Sequence, residues 1–199
     1  MTLTHTLLII FGLGLYHGIN PAMGWLLATS LGFQRKSTKA LFVALVVLTL
    51  GHLLSITMVV LGYMELQKII PKPIVEWTVV FLLLTCGTYH LLRKGHRSWL
   101  GLQSSYLSVG FWSFLIATAH GAGVMLLPFL ADTEPTFPVS ALVIIIHSLG
   151  YLLTSSLAAV FIYSTVNLKL LKKSWINFDL IWAYSLLLTG AFFALFLIV

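Results

Sequence analysis

The chain reads as six long apolar runs, at about 6–31, 40–64, 74–92, 104–130, 139–166 and 175–199, separated by short polar or basic stretches. Each run holds the roughly 20 residues that a helix needs to cross a hydrocarbon core. Polar residues inside the runs fall at helical spacing. His17 and Asn20 lie about one turn apart in the first run, and Thr49, His52 and Ser55 follow at steps of three in the second. His147, Tyr151, Thr154 and Ser155 share a stripe of the fifth, while Thr118, His120, Gly121 and Gly123 form a thinner one in the fourth. Such faces turn toward a bundle interior, because lipid cannot satisfy them. The pattern predicts an all-α integral membrane protein, a single domain over 1–199 with six transmembrane helices.

The pattern also repeats. Leu82-Leu83-Leu84-Thr85-Cys86-Gly87 in the third run resembles Leu186-Leu187-Leu188-Thr189-Gly190-Ala191 in the sixth. His17-Gly18 matches His120-Gly121, and Gly51-His52-Leu53-Leu54-Ser55 resembles Gly150-Tyr151-Leu152-Leu153-Thr154. The offsets are 104, 103 and 99 residues, in the same order along both halves. A unit of three spans forces its second copy to enter the membrane from the opposite side. The expectation is therefore two inverted three-helix repeats, about 1–95 and 104–199, with a site near the midplane between them, as in many secondary transporters.

Composition agrees, since only 8% of residues are charged against about 25% in a soluble domain. A net charge of +6 would suggest nucleic acid for a soluble protein, but here its distribution speaks otherwise. Arg35, Lys36 and Lys39, then Arg93, Lys94 and Arg97, then Lys169, Lys172 and Lys173 place nine of eleven basic residues in the first, third and fifth loops. That asymmetry makes their face cytoplasmic and puts both termini outside. The expected setting is a prokaryotic plasma membrane, with the bilayer and a small ion or solute as partners, no nucleic acid, and homo-oligomerisation left open. The first basic residue is Arg35, so no secretory leader is read. The single cysteine, Cys86, excludes an intramolecular disulfide.

Four histidines, His17, His52, His120 and His147, sit near the middle of four different runs. Imidazole is the commonest biological metal ligand and titrates near neutral pH, so the four together are the candidate ligands of one transition-metal ion. Asn20, Met23 and Tyr151 are the candidate substrate contacts. Pro21 lacks an N–H and displaces the carbonyl four residues earlier, that of His17. An unwound stretch over 17–23 is expected, with Gly18, Pro21 and Gly121 as break or gate positions; Pro128 is expected to end the fourth helix. No carboxylate lies at midplane depth, which argues against calcium or magnesium. Met23, Met125 and Cys86 would suit copper(I) if they faced the site. His90, beside Arg93, reads as interfacial, and Trp25 with the other tryptophans as interface anchors.

The run Gly14-Leu15-Tyr16-His17-Gly18-Ile19-Asn20-Pro21-Ala22-Met23, a basic loop, and then Leu50-Gly51-His52-Leu53-Leu54-Ser55 resemble the nickel/cobalt exporters of the lysine exporter superfamily. Those proteins carry a first-helix motif of His, two residues, an acidic residue, Pro, one residue and His, then Gly-His in the second helix. The resemblance implies six helices in two three-helix units and export of a metal cation, with His17, Pro21 and His52 on motif positions. Asn20 stands where that family has its carboxylate, and Met23 where it has its second histidine.

The reading is a secondary transporter exporting a transition-metal cation or small solute through a histidine-rich site. A membrane haem protein with paired histidine axial ligands is the alternative. An intramembrane metal-dependent enzyme ranks below both, because neither closely spaced HxxxH pairs nor a general-base carboxylate stands near the histidines.

Overall fold

A computed structural model describes residues 3–20, 23–92, 105–131, 136–165 and 178–198. All regular structure among them is helical: α1 (Leu3–Ile19), α2 (Trp25–Gln34), α3 (Thr38–Ile69), α4 (Lys72–Leu92), α5 (Tyr106–Ala119), α6 (Leu127–Ala131), α7 (Phe137–Thr165) and α8 (Phe178–Ile198). Serines start two of them. The Ser37 hydroxyl accepts the Ala40 N–H ahead of α3, and that of Ser105 accepts the Ser108 N–H ahead of α5.

Among the described residues three helices, α3, α4 and α7, are long and apolar enough to cross a membrane. A fourth crossing is available to α5 together with Val124–Ala131, a pair bent by 48°. Two apolar runs are thus not single helices. The first is divided into α1 and α2, and the fourth into α5, a 3₁₀ turn at Val124–Leu126 and α6. Pro128 does not end a helix as expected; it stands in the first turn of α6, where a missing N–H goes unmissed.

The surface is inverted relative to a soluble bundle. α7 exposes Leu142, Ile145, Leu149, Leu153, Leu157 and Phe161, and buries His147, Tyr151 and Ser155. α3 does likewise, with Leu50, Leu54 and Met58 outside and His52 and Ser55 inside. An apolar exterior around polar stripes suits lipid.

α1 packs along α7, α3 along α5 and α4 along α8, while α2 leans on both α3 and α7. Glycines set the crossings. A Cβ on Gly14 would collide with the His147 carbonyl, and one on Gly51 with the Gly110 carbonyl. At Gly150 it would meet the Phe11 carbonyl at 2.6 Å. Close backbone approach of this kind is how apolar helices gain packing without a hydrophobic drive between them. In contrast, Gly12 and Gly62 face open space, with nothing within 4 Å. Gly62→Ala should therefore raise stability by up to about 1 kcal/mol through helix propensity alone, read as a higher unfolding midpoint in detergent.

One end of the bundle is tied by aromatic contacts. The Arg35 guanidinium lies 4.2 Å over the Tyr106 ring, and the Phe33 ring stands 4.8 Å from that of Tyr163. The end of α2, the start of α5 and the end of α7 therefore meet there. The basic residues Arg93, Lys94, Arg97, Lys169, Lys172 and Lys173 lie outside the described residues.

Candidate histidine site

The first helix break begins later than expected. Gly18 is still helical within α1, pressed against the Tyr151 carbonyl and the Thr154 hydroxyl of α7, and its role is close approach. α1 ends at Ile19 and α2 starts at Trp25, with Gly24 at φ +107, and Pro21 lies outside the described residues. Nor is the His17 carbonyl left open, since the Asn20 N–H donates to it at 3.2 Å. Three more carbonyls of the break are also satisfied. The Trp25 indole donates to Ile19 O at 3.0 Å, Met23 N–H to Asn20 O at 3.0 Å, and the Tyr151 hydroxyl to Met23 O at 2.9 Å. Trp25 is thus a buried cap rather than an interface anchor. Broken backbone at membrane depth survives only when its freed groups find such partners. Tyr151→Phe would strand the Met23 carbonyl and should lower stability by about 1–3 kcal/mol, measured by thermal unfolding against the parent.

The second break is a Schellman turn. Gly121 takes φ +70, its N–H donates to Thr118 O at 3.1 Å, and Ala122 N–H donates to Ala117 O at 3.0 Å. His120 is the last residue before that turn.

Three of the four predicted histidines come together. The ring centroids of His17 and His147 are 5.0 Å apart, those of His17 and His52 5.7 Å, and those of His52 and His147 5.8 Å. All three side chains are within 1% of complete burial. They arrive from α1, α3 and α7, so no single helix could assemble them. Tyr151 stacks on His52 at 4.0 Å and 12°. Asn20 and Met23 are buried in the break itself.

The triangle has a meaningful size. The point equidistant from the three centroids lies about 3.2 Å from each, by the geometry of those separations. An imidazole bound through nitrogen at about 2.0–2.1 Å places its centroid about 3.2 Å from the metal. Spacing therefore suits one ion in a three-nitrogen, near-trigonal site. Orientation does not yet match: His52 and His147 are close to parallel at 17°, and among the described residues no three His, Cys, Asp or Glu side chains converge as donors. Rotation of a ring about its Cβ–Cγ bond is what loading would require.

Satisfaction differs around the triangle. His17 Nδ1 donates to Leu13 O at 3.2 Å. Neither ring nitrogen of His52 has a hydrogen-bond partner, and His147 leans toward the Ile10 carbonyl without reaching bonding geometry. A buried, unpaired polar group costs free energy, so its persistence asks for a reason. The acidic side chains described, Glu65 and Glu76, are paired with Lys68 and Lys72 on neighbouring turns. No described carboxylate reaches the triangle.

The fourth histidine does not join. His120 stacks on His90, with centroids 4.5 Å apart and planes 26° apart. His90 is buried to 7% exposure and bonds Ala119 O through Nε2 at 3.2 Å, contrary to its interfacial reading. The usable signal was periodicity. Val79, Leu83, Gly87 and His90 follow at steps of four, four and three, which continues the buried stripe of α4.

Comparison with protein families, with curated proteins and with solved structures finds no match to this chain.

Proposed function

We propose that the chain is a six-span secondary transporter of two inverted three-helix halves, which exports a late first-row transition-metal cation through His17, His52 and His147. The observation that carries this reading is the buried triangle itself: three imidazoles from three helices, spaced for one ion, with neither nitrogen of His52 hydrogen-bonded.

The inverted repeat draws support from the way the helices pair. Exchanging halves turns the α1·α7 pair into α5·α3 and leaves α4·α8 as its own partner, and those are the main pairings found. The polar details exchange too. Thr154 Oγ1 bonds Leu15 O at 2.9 Å, and at the corresponding places Ser55 Oγ meets Thr118 Oγ1 at 2.9 Å. The first helix break follows the His17-Gly18 pair and the second lies at Gly121 of the His120-Gly121 pair, and helix breaks are where inverted-repeat transporters place their sites. The clustering of Arg35, Tyr106 and Tyr163 at one end agrees with the first, third and fifth loops sharing the cytoplasmic face. The resemblance to nickel/cobalt exporters adds support in one respect, since the two matched histidines, His17 and His52, stand 5.7 Å apart.

Neutral imidazoles without a carboxylate favour a borderline or soft cation over calcium or magnesium. Haem fits poorly. Two axial imidazoles would need a macrocycle between them, whereas the third ring stands within 5.0–5.7 Å of both others. The enzyme reading lacks a described general base at the triangle. The test is flux from vesicles containing purified protein and loaded with Zn²⁺, Co²⁺ or Cu⁺. Release above empty vesicles, lost when His17 or His147 is changed to alanine, is the expected result; no release of any of the three cations overturns the proposal.

A further inference from the structure

Serine and threonine hydroxyls buried in helices ordinarily turn back to a carbonyl three or four residues earlier. Thr29, Thr49 and Ser155 do so here, bonding Trp25 O, Leu45 O and Leu152 O. Among the described residues three buried hydroxyls have no protein partner, those of Tyr63, Ser140 and Ser148, on residues 3%, 1% and 8% exposed.

Their places in the fold are related. α3 starts beside the Arg35 end and runs away from it, whereas α7 runs toward it and reaches it at Tyr163. Tyr63 therefore lies beyond His52, and Ser140 ahead of His147, both toward the end opposite Arg35. Tyr63 stands eleven residues from His52 and Ser140 seven from His147, about three and two whole turns, so each shares its histidine's face. α3 and α7 pack on one another, which brings these two faces to one seam. Ser148 is level with the triangle, next to His147. Toward Arg35 the buried hydroxyls are bonded: Thr29 and Ser155 as above, and Ser113 to Leu48 O at 2.7 Å. Packing differs in the same sense. α2 fills the angle between α3 and α7 on the Arg35 side, while α6 rests mainly on α4.

A hydroxyl deep in a protein bonds either protein or water, and very few do neither. We infer that Tyr63, Ser140 and Ser148 bind water and line a hydrated route from the triangle to the end of the bundle opposite Arg35. Glu76, paired with Lys72 at 3.7 Å, interacts electrostatically with Tyr63 and marks the mouth. Between the mouth and the triangle stand Ile56, Val60, Val143 and Ile144, all buried. Such an apolar layer passes water only when the helices part, as hydrophobic constrictions do. The route goes beyond the proposed function and takes from it only the triangle as destination.

Thiol reactivity in detergent, where both ends meet solvent, tests the route. In a Cys86→Ala background, Ser140→Cys, Ser148→Cys, Ser113→Cys and Ser155→Cys each place one thiol at a buried position. A small cationic methanethiosulfonate should modify the thiols at 140 and 148 at least about tenfold faster than those at 113 and 155, with 140 fastest. A second readout needs no substitution. Hydroxyl radicals generated from water in the parent protein should oxidise the Tyr63 ring well ahead of the Trp25 indole, which is 7% exposed on the Arg35 side of the first break. A thiol at 148 no faster than those at 113 and 155 overturns the route, and so does Trp25 oxidised ahead of Tyr63. Cation flux without the difference in thiol reactivity leaves the transporter standing and removes the route; that difference without flux does the opposite.

Discussion

Replacing His52 with leucine should weaken cation binding at the triangle by more than about 100-fold while making the fold more stable. The side chain is buried to 1% exposure, and neither ring nitrogen has a partner. Each unsatisfied buried polar atom costs about 1–3 kcal/mol. Against that, leucine gives up the stack on Tyr151, 4.0 Å away and worth about 0.5–1.5 kcal/mol. The first effect is larger, so a net gain of about 1–2 kcal/mol is expected. Affinity moves the other way. Losing an outer partner of a ligand already weakens metal sites 10- to 100-fold, so losing a ligand should exceed about 100-fold. Unfolding in detergent and titration with Zn²⁺ measure the two sides separately. A histidine held for packing would show falling stability with no change in affinity, and that outcome would sink the site.

Gly14→Ala is expected to be among the most damaging glycine substitutions at the described positions. The added methyl would enter the space of the His147 carbonyl, and Cβ would also lie 3.1 Å from the Tyr151 amide. Backbone cannot rotate aside, so α1 must separate from α7. Overpacking of this kind costs about 1–3 kcal/mol. The separation also parts His17 from His147, now 5.0 Å apart on those two helices. Stability and cation affinity should therefore fall together. Gly12→Ala, on the same helix but facing open space, is the control and should lower neither. Equal effects at Gly12 and Gly14 would mean that helix propensity, rather than the crossing, sets the response.

The helices and their inner faces were legible in the sequence because hydropathy and three-to-four spacing are local properties. His52 and Ser55, or His147 and Tyr151, announce a buried face within a few residues. Which faces meet is not local. His17, His52 and His147 join because glycines at 14 and 150 let α1 and α7 touch, and nothing in a single run indicates that partner. His120 looked equivalent to His17 by motif, yet its helix packs on α3 and its ring turns to α4. His90 was discounted for its neighbour Arg93, although its place on the α4 stripe argued for burial. The break at Asn20 could be anticipated from Pro21, but not the indole of Trp25 that closes it.

The bond from His17 to Leu13 O carries one more consequence. In the neutral ring it places the proton on Nδ1, so a cation would meet this imidazole at Nε2. An ion settling on the neutral ring expels no proton from it, and loading at this position is electrically additive rather than an exchange. Any counterflow of protons must then be written into other groups, and the charge of the cargo arrives uncompensated in the bilayer core. A cation of low valence would cross such a site at the smallest electrostatic cost.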